Sequence, residues 1–138
     1  MKVLIDTHIA LWSMYDPKRL SSLSVEILSD PKNDFFVSLA SVWEVEIKHG
    51  IGKLEVPSEA FVDDCKTMGF NLLPINEKHI ISLSLLEKAE GGHKDPFDRM
   101  MLAQSVSEGM MFLTEDSRIL DYSLPNIIKP DQLRCGRT

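Results

Sequence analysis

Apolar residues along this chain fall into two patterns: short continuous runs, and longer stretches in which they recur every third or fourth position. The first pattern predicts buried strands and the second predicts helices. Strands are expected at Lys2 to Ile5, Phe35 to Ser38, Phe70 to Pro74 and Met110 to Thr114, with Ile127-Ile128 as a last short one. Helices are expected from Thr7 to Met14, Arg19 to Leu28, Ser41 to His49, Glu59 to Met68, Glu77 to Ala89 and Pro96 to Glu108. Breakers separate them: Asp16-Pro17, the turn Asp30-Pro31-Lys32-Asn33, Gly50-Ile51-Gly52, the loop Glu90 to Lys94, and Gly109. Ser58 is placed to act as an N-cap.

Strands that alternate with helices imply β-α-β connections and a mainly parallel central sheet covered on both faces, a three-layer α/β/α domain. A length of 138 residues suits one domain, assigned here to residues 1–130, with 131–138 as a loose C-terminal tail containing Arg134 and Arg137. No apolar run approaches the length of a membrane span, and Val3-Leu4-Ile5 is followed at once by Asp6, unlike a signal peptide. Cys65 and Cys135 stand far apart with no zinc-ligand spacing, so a reducing cytoplasm is the expected location. The net charge of -6 excludes a protein that coats nucleic acid by overall attraction, and any polyanion must be met locally.

Against this frame four carboxylates share one kind of placement. Asp6 and Asp116 follow apolar runs, Glu44 follows Phe35 to Ala40, and Asp98 lies in the first turn of a helix opened by Asp95-Pro96. In an open α/β sheet such strand ends converge on one crevice. Each acid also has a purely structural explanation. Ser41-Val42-Trp43-Glu44 matches a capping box, Asp95 suits an N-cap ahead of Pro96, Asp98 favours a helix dipole, and Asp6 and Asp116 suit helix starts. Caps, however, have no need to cluster, whereas gathered carboxylates repel unless a cation or protons neutralise them. Oxygen-only donors favour Mg²⁺, with Mn²⁺ as the other option, over zinc.

The ordered motifs Leu4-Ile5-Asp6-Thr7-His8, Ser41-Val42-Trp43-Glu44-Val45-Glu46-Ile47-Lys48 with Gly52-Lys53-Leu54, His93-Lys94-Asp95-Pro96-Phe97-Asp98-Arg99, and Leu113-Thr114-Glu115-Asp116 cover nearly the whole chain. In them the chain resembles the PIN-domain ribonucleases, and within these the VapC-type toxins of toxin–antitoxin pairs. The resemblance implies that Asp6, Glu44, Asp98 and Asp116 form a catalytic metal pocket, supported by hydrogen bonds from Thr7 or Thr114. Glu115, beside Asp116, and Asp95 are neighbouring acids between which the motifs do not choose. The implied activity is Mg²⁺- or Mn²⁺-assisted hydrolysis of RNA, leaving 5′-phosphate and 3′-hydroxyl ends. The implied partners are an RNA substrate, a cognate antitoxin covering the acids, and a second copy in a homodimer or a toxin–antitoxin hetero-oligomer.

Lys48, Lys53, Lys94 and Arg99 are the candidates for a local basic rim, each also explicable as a solvated cation. Trp12 and Trp43 are expected to pack in the core, and His8 and His49 receive no catalytic role. Two other functions compete: a non-catalytic interaction module whose acids serve as caps, and an aspartyl phosphotransfer enzyme with Asp6 as nucleophile. The second lacks an acid two positions after Asp6, where His8 stands.

Overall fold

In the computed structural model, which describes residues 1–87, 95–120, 122 and 124–128, the apolar runs form five strands. These are β1 (Lys2–Ile5), β2 (Asp34–Ser38), β3 (Asn71–Leu73), β4 (Met111–Leu113) and β5 (Ile127–Ile128). Every pairing is parallel, and the strand order is β3-β2-β1-β4-β5. The helices are α1 (Thr7–Tyr15), α2 (Ser22–Ser29), α3 (Leu39–Gly50), α4 (Ser58–Thr67), α5 (Glu77–Glu87), α6 (Pro96–Glu108) and the short α7 (Ser117–Leu120).

Side chains alternate across a strand, and β1 is buried on both faces. Val3 and Ile5 join one core with Val37, Ile9, Val45, Phe61 and Cys65, and Leu4 joins a second with Phe112, Ile127, Met101 and Leu102. A sheet sandwiched between two apolar layers is the expected three-layer α/β/α architecture. Cys65 belongs to the first core, where burial and the nearby Asp64 push its thiol up to about 12, which removes it as a nucleophile.

Most boundaries follow the breakers. Asp95 accepts N–H bonds from Phe97 and Asp98 ahead of Pro96, and Gly109, at φ 67°, ends α6 in the left-handed conformation that glycine adopts without steric cost. Three local expectations need correction. The predicted helix from Arg19 starts instead at Ser22, because Pro17–Arg19 form a separate 3₁₀ turn and Ser21 caps α2 by accepting from Ser24 N–H. Ser58 is not a cap: Pro57 holds that position without a side-chain bond, and the Ser58 hydroxyl donates to Glu46. Helix α7 was not predicted, since four residues are too few to display a period. The loop Glu90 to Lys94 and the tail 131–138 lie outside the described residues.

The strand order locates the sheet's switch point. The chain moves outward from β1 through β2 to β3, then crosses back to place β4 on the other side of β1. The β1/β4 boundary is thus the topological switch point, where open α/β sheets leave a crevice outside the carboxyl ends of their strands. Asp6 directly follows β1 and Thr114 directly follows β4.

Candidate metal centre

Asp6 lies at the bottom of that crevice, 3% exposed. Its own N–H donates to Leu113 O at 3.1 Å, which fixes the end of β1 against β4. One carboxylate oxygen accepts from Ile9 N–H at 2.8 Å, capping α1, and the other accepts from the Thr114 hydroxyl. The cap reading of Asp6 holds, and the same side chain also stands at the switch-point crevice. Burial pushes the carboxyl up to about 6; the bonds from Thr114 and Ile9 oppose this rise, and the charges of Asp116 and Glu44 add to it. The charges of Asp116 and Glu44 thus both reach Asp6.

Glu44 is held from a different direction. The expected capping box is absent: α3 begins at Leu39, its cap is Ser38, whose hydroxyl accepts from Ala40 N–H, and Ser41 is already inside the helix. Starting a turn earlier moves Glu44 to the second turn, where it is buried. The Thr7 hydroxyl donates to one Glu44 oxygen at 2.7 Å and lies 2.8 Å from the Ser41 hydroxyl, while Lys48 Nζ is 2.7 Å from the other. Thr7 and Thr114 therefore support Glu44 and Asp6 respectively, as the motifs suggested.

Asp116 is tied to the same network through Thr114, whose Oγ1 accepts from Asp116 N–H at 3.0 Å. Its carboxylate is engaged by Arg118, which donates from Nε at 3.3 Å, from Nη2 at 3.0 Å and from its backbone N–H at 2.9 Å. The Arg118 guanidinium pKa is raised by this hydrogen bond and charge contact, with smaller contributions from Asp98 and Asp95 across the crevice. Asp98, on the first turn of α6, lies near enough for its charge to reach Arg118. Glu115 is held from α2: one of its oxygens accepts from Ser21 N–H at 3.0 Å and from the Ser24 hydroxyl at 2.7 Å. That contact joins α2 to the end of β4, and Asp95 caps α6.

Among the described residues, no three His, Cys, Asp or Glu side chains are gathered so as to hold a metal ion by themselves. The donor chemistry nevertheless suits a hard cation. It is all oxygen, it includes a buried carboxyl that is costly to ionise alone, and Mg²⁺ characteristically takes only one or two carboxylates and completes its shell with water and phosphate.

A cavity of about 280 Å³ opens from Asp6 and Asp116, with Glu115, His8, Trp12 and Arg19 completing its lining; Glu44 and Asp98 are not among its lining residues. Beside it runs a larger groove of about 660 Å³, whose walls include Trp12, Arg19, Lys48, Lys53, Leu54 and Val56. Arg19 was missed in the sequence because it sits in a turn assigned to a helix. Of the expected rim, Lys48 and Lys53 line the groove, Arg99 sits on α6 with a guanidinium nitrogen 3.5 Å from Leu83 O, and Lys94 lies outside the described residues. Trp12 is partly buried and packs against the first core, as expected, whereas Trp43 is 60% exposed and meets Phe97 edge-on, which corrects the core expectation for that residue.

Solved structures share this arrangement of elements. VapBC2 from Rickettsia felis bound to a promoter DNA fragment superposes with a TM-score of 0.68 at 15% identity, covering 93% of this chain and 96% of that one. A toxin–antitoxin complex from Klebsiella pneumoniae gives 0.60 at 17% identity over 93% and 97%. VapBC-1 from nontypeable Haemophilus influenzae gives 0.59 at 22% identity over 88% and 94%. No curated protein sequence matches the chain. The PIN domain family, by contrast, matches residues 3–123, which span every acid of the crevice. With its parallel sheet, its switch-point carboxylates and this match, the chain belongs to the PIN-domain family.

Proposed function

We propose that the protein is a Mg²⁺- or Mn²⁺-dependent endoribonuclease of the VapC type, the toxin half of a toxin–antitoxin pair. The observation that carries this reading is Asp6: a buried carboxyl at the sheet's switch point, held by two hydrogen bonds and pressed by the charges of Asp116 and Glu44. A fold alone does not require such a group.

Asp6, Glu44, Asp98 and Asp116 would hold the metal. When bound, it supplies a Lewis acid for the phosphate and lowers the pKa of an attacking water. The chain's own contribution is orientation. Thr114 sets two acids at once, since it donates to Asp6 and accepts from Asp116 N–H. Thr7 holds Glu44 from α1. Lys48 and Arg118 balance Glu44 and Asp116 until a stronger cation arrives, and their exposed positions let them swing away without unfolding the site.

An exposed apolar ridge on α3, formed by Leu39, Trp43, Ile47 and Ile51, supports a protein partner, since patches of this kind mark interaction surfaces. We assign the partners to an antitoxin and a second copy of the chain, in line with the toxin–antitoxin complexes of similar fold. Among the described residues no helix is long and apolar enough to cross a membrane, and a cytoplasmic location is part of the proposal.

The test is cleavage of a mixed cellular RNA pool by the partner-free protein in Mg²⁺ or Mn²⁺, beside EDTA and the Asp98→Asn variant. Cleavage lost in both controls, with 5′-phosphate ends on the products, supports the nuclease. The closure of Asp116 by Arg118 favours the non-catalytic module instead, and that reading prevails if folded, partner-free protein cleaves nothing.

A further inference from the structure

The proposed reaction leaves an electrostatic gap: the crevice is lined by carboxylates, yet its substrate is a polyanion. Within the cavity that contains Asp6 and Asp116, the cation is Arg19. Its guanidinium carbon stands 4.9 Å from the centroid of the Trp12 ring, and the His8 ring lies against the same indole at 5.7 Å between centroids. Stacking uses the face of a guanidinium and leaves its edge donors free, the geometry suited to gripping two phosphate oxygens. Arg19 makes no ion pair among the described residues, because the nearby acids are already engaged: Glu115 by Ser21 and Ser24, Asp116 by Arg118. Its backbone is fixed as well. The 3₁₀ turn Pro17–Arg19 runs directly into Ser21, whose N–H is anchored on Glu115, the neighbour of Asp116.

We infer that Arg19, oriented by Trp12, is the residue that grips the RNA backbone beside the cleaved bond, binding a phosphate adjacent to the one held at the carboxylates. This rests on the proposed nuclease reading and adds a substrate-positioning pair that the acidic motifs do not include. It also explains how a chain of net charge -6 admits RNA: attraction is local, centred on a pre-oriented guanidinium at the mouth of the crevice.

The experiment is binding of a fluorescein-labelled, mixed-sequence single-stranded 12-mer RNA to the full chain in EDTA, by anisotropy across a KCl series, together with steady-state cleavage in Mg²⁺. Arg19→Ala is expected to weaken binding about tenfold and to lower the salt slope by about 0.7, the value for one phosphate contact to a single strand. Arg19→Lys should restore the slope but only part of the affinity. Trp12→Leu keeps the charge and loses its orientation, so affinity should fall several-fold at an unchanged slope. In cleavage the three variants should raise KM and leave kcat within about twofold. Thermal melting checks that each variant is folded, and Arg19→Ala, at an exposed position, keeps the test available if Trp12→Leu does not fold.

Wild-type affinity and slope in Arg19→Ala overturn the inference. So does loss of antitoxin binding in both alanine and leucine variants with RNA binding intact, which would assign the cavity and its adjoining groove to the protein partner. A wild-type chain that cleaves RNA alongside an unaffected Arg19→Ala removes only this inference, whereas a wild-type chain that neither binds nor cleaves RNA removes the proposed function with it.

Discussion

Two buried polar clusters divide this molecule, and they are built on opposite electrostatic logic. At the crevice, Asp6, Glu44 and Asp116 crowd like charges around two threonine hydroxyls. Between the starts of α5 and the end of α6, His79 is fully buried and bonded on both ring nitrogens. Its Nδ1 accepts from Asn76 N–H at 3.1 Å, so Nε2 carries the proton directed at Glu108, 2.7 Å away, and Gln104 Nε2 bridges Nδ1 and Pro74 O. Among buried side-chain atoms of the described residues, Gln104 Oε1 alone lacks a partner. The His79 cluster pairs complementary groups and fastens two helices. The Asp6 cluster pairs Glu44 with Lys48 and Asp116 with Arg118 but buries Asp6 without a cationic partner among the described residues, which stability alone does not favour and which a bound cation would relieve.

Neutralising each cluster should therefore have opposite consequences, and the largest effect is expected at Asp6. Asp6→Asn should lower metal-dependent RNA cleavage by at least about 100-fold, since even groups that only support metal ligands matter by about 10–100-fold. The same substitution should make the metal-free protein more stable. A carboxyl whose folded pKa is about 6, against an ordinary value of 3.8, binds its proton more tightly in the folded state. Its stabilising contribution is complete below pH 3.8 and is lost as pH rises through 6, so at neutral pH ionised Asp6 costs up to about 3 kcal/mol. Denaturant midpoints of wild type and Asp6→Asn in EDTA should separate between pH 4 and 7 and converge below; a variant less stable at pH 7 would break the contrast.

The mirror experiment is His79→Ala. It removes a fully buried ring and strands Glu108, Gln104 and Asn76 N–H, so stability should fall by about 3 kcal/mol. Cleavage measured well below the melting temperature should be unchanged, because no acid of the crevice touches this cluster. A loss of kcat in folded His79→Ala protein would show that the two ends are coupled. Smaller again is Thr7→Val, which deletes the hydroxyl that holds Glu44. Activity should drop about 10–100-fold at little cost in melting temperature, and added metal should recover part of the loss if Glu44 positions the ion.

How much of this was visible in the sequence depends on whether a residue's partner was local. The strands, their parallel pairing and the carboxylates at strand ends follow from period and punctuation, because each is set by neighbours a few residues away. Glu44 shows the limit. Ser41-x-x-Glu44 has the spacing of a capping box, but Ser38 caps α3 one turn earlier, and the partner that defines Glu44 is Thr7, 37 residues distant. The anchoring of Glu115 was likewise invisible, since Ser21 and Ser24 hold it from α2. His79 passed unremarked because a lone histidine in a helical pattern gives no sign of the Glu108 facing it.

The smallest effect on stability should come from the outer face of α3, and it tests whether this helix serves two purposes. Its inner face buries Ala40, Ser41, Glu44 and Val45, while Leu39, Trp43, Ile47 and Ile51 stand in solvent. Because Trp43 is 60% exposed and meets Phe97 only by an edge, Trp43→Ser should shift stability by no more than about 0.5 kcal/mol. Trp43 is nonetheless adjacent in sequence to Glu44, so an apolar partner seated on the ridge would bear on the helix that carries an acid of the proposed metal site. Sedimentation of wild type and Trp43→Ser over a concentration series reads association directly. A weakened self-association or antitoxin complex with intact cleavage by the free chain would identify the ridge as an assembly surface separate from the chemistry. Unchanged association would leave α3 with one functional face, the one that presents Glu44.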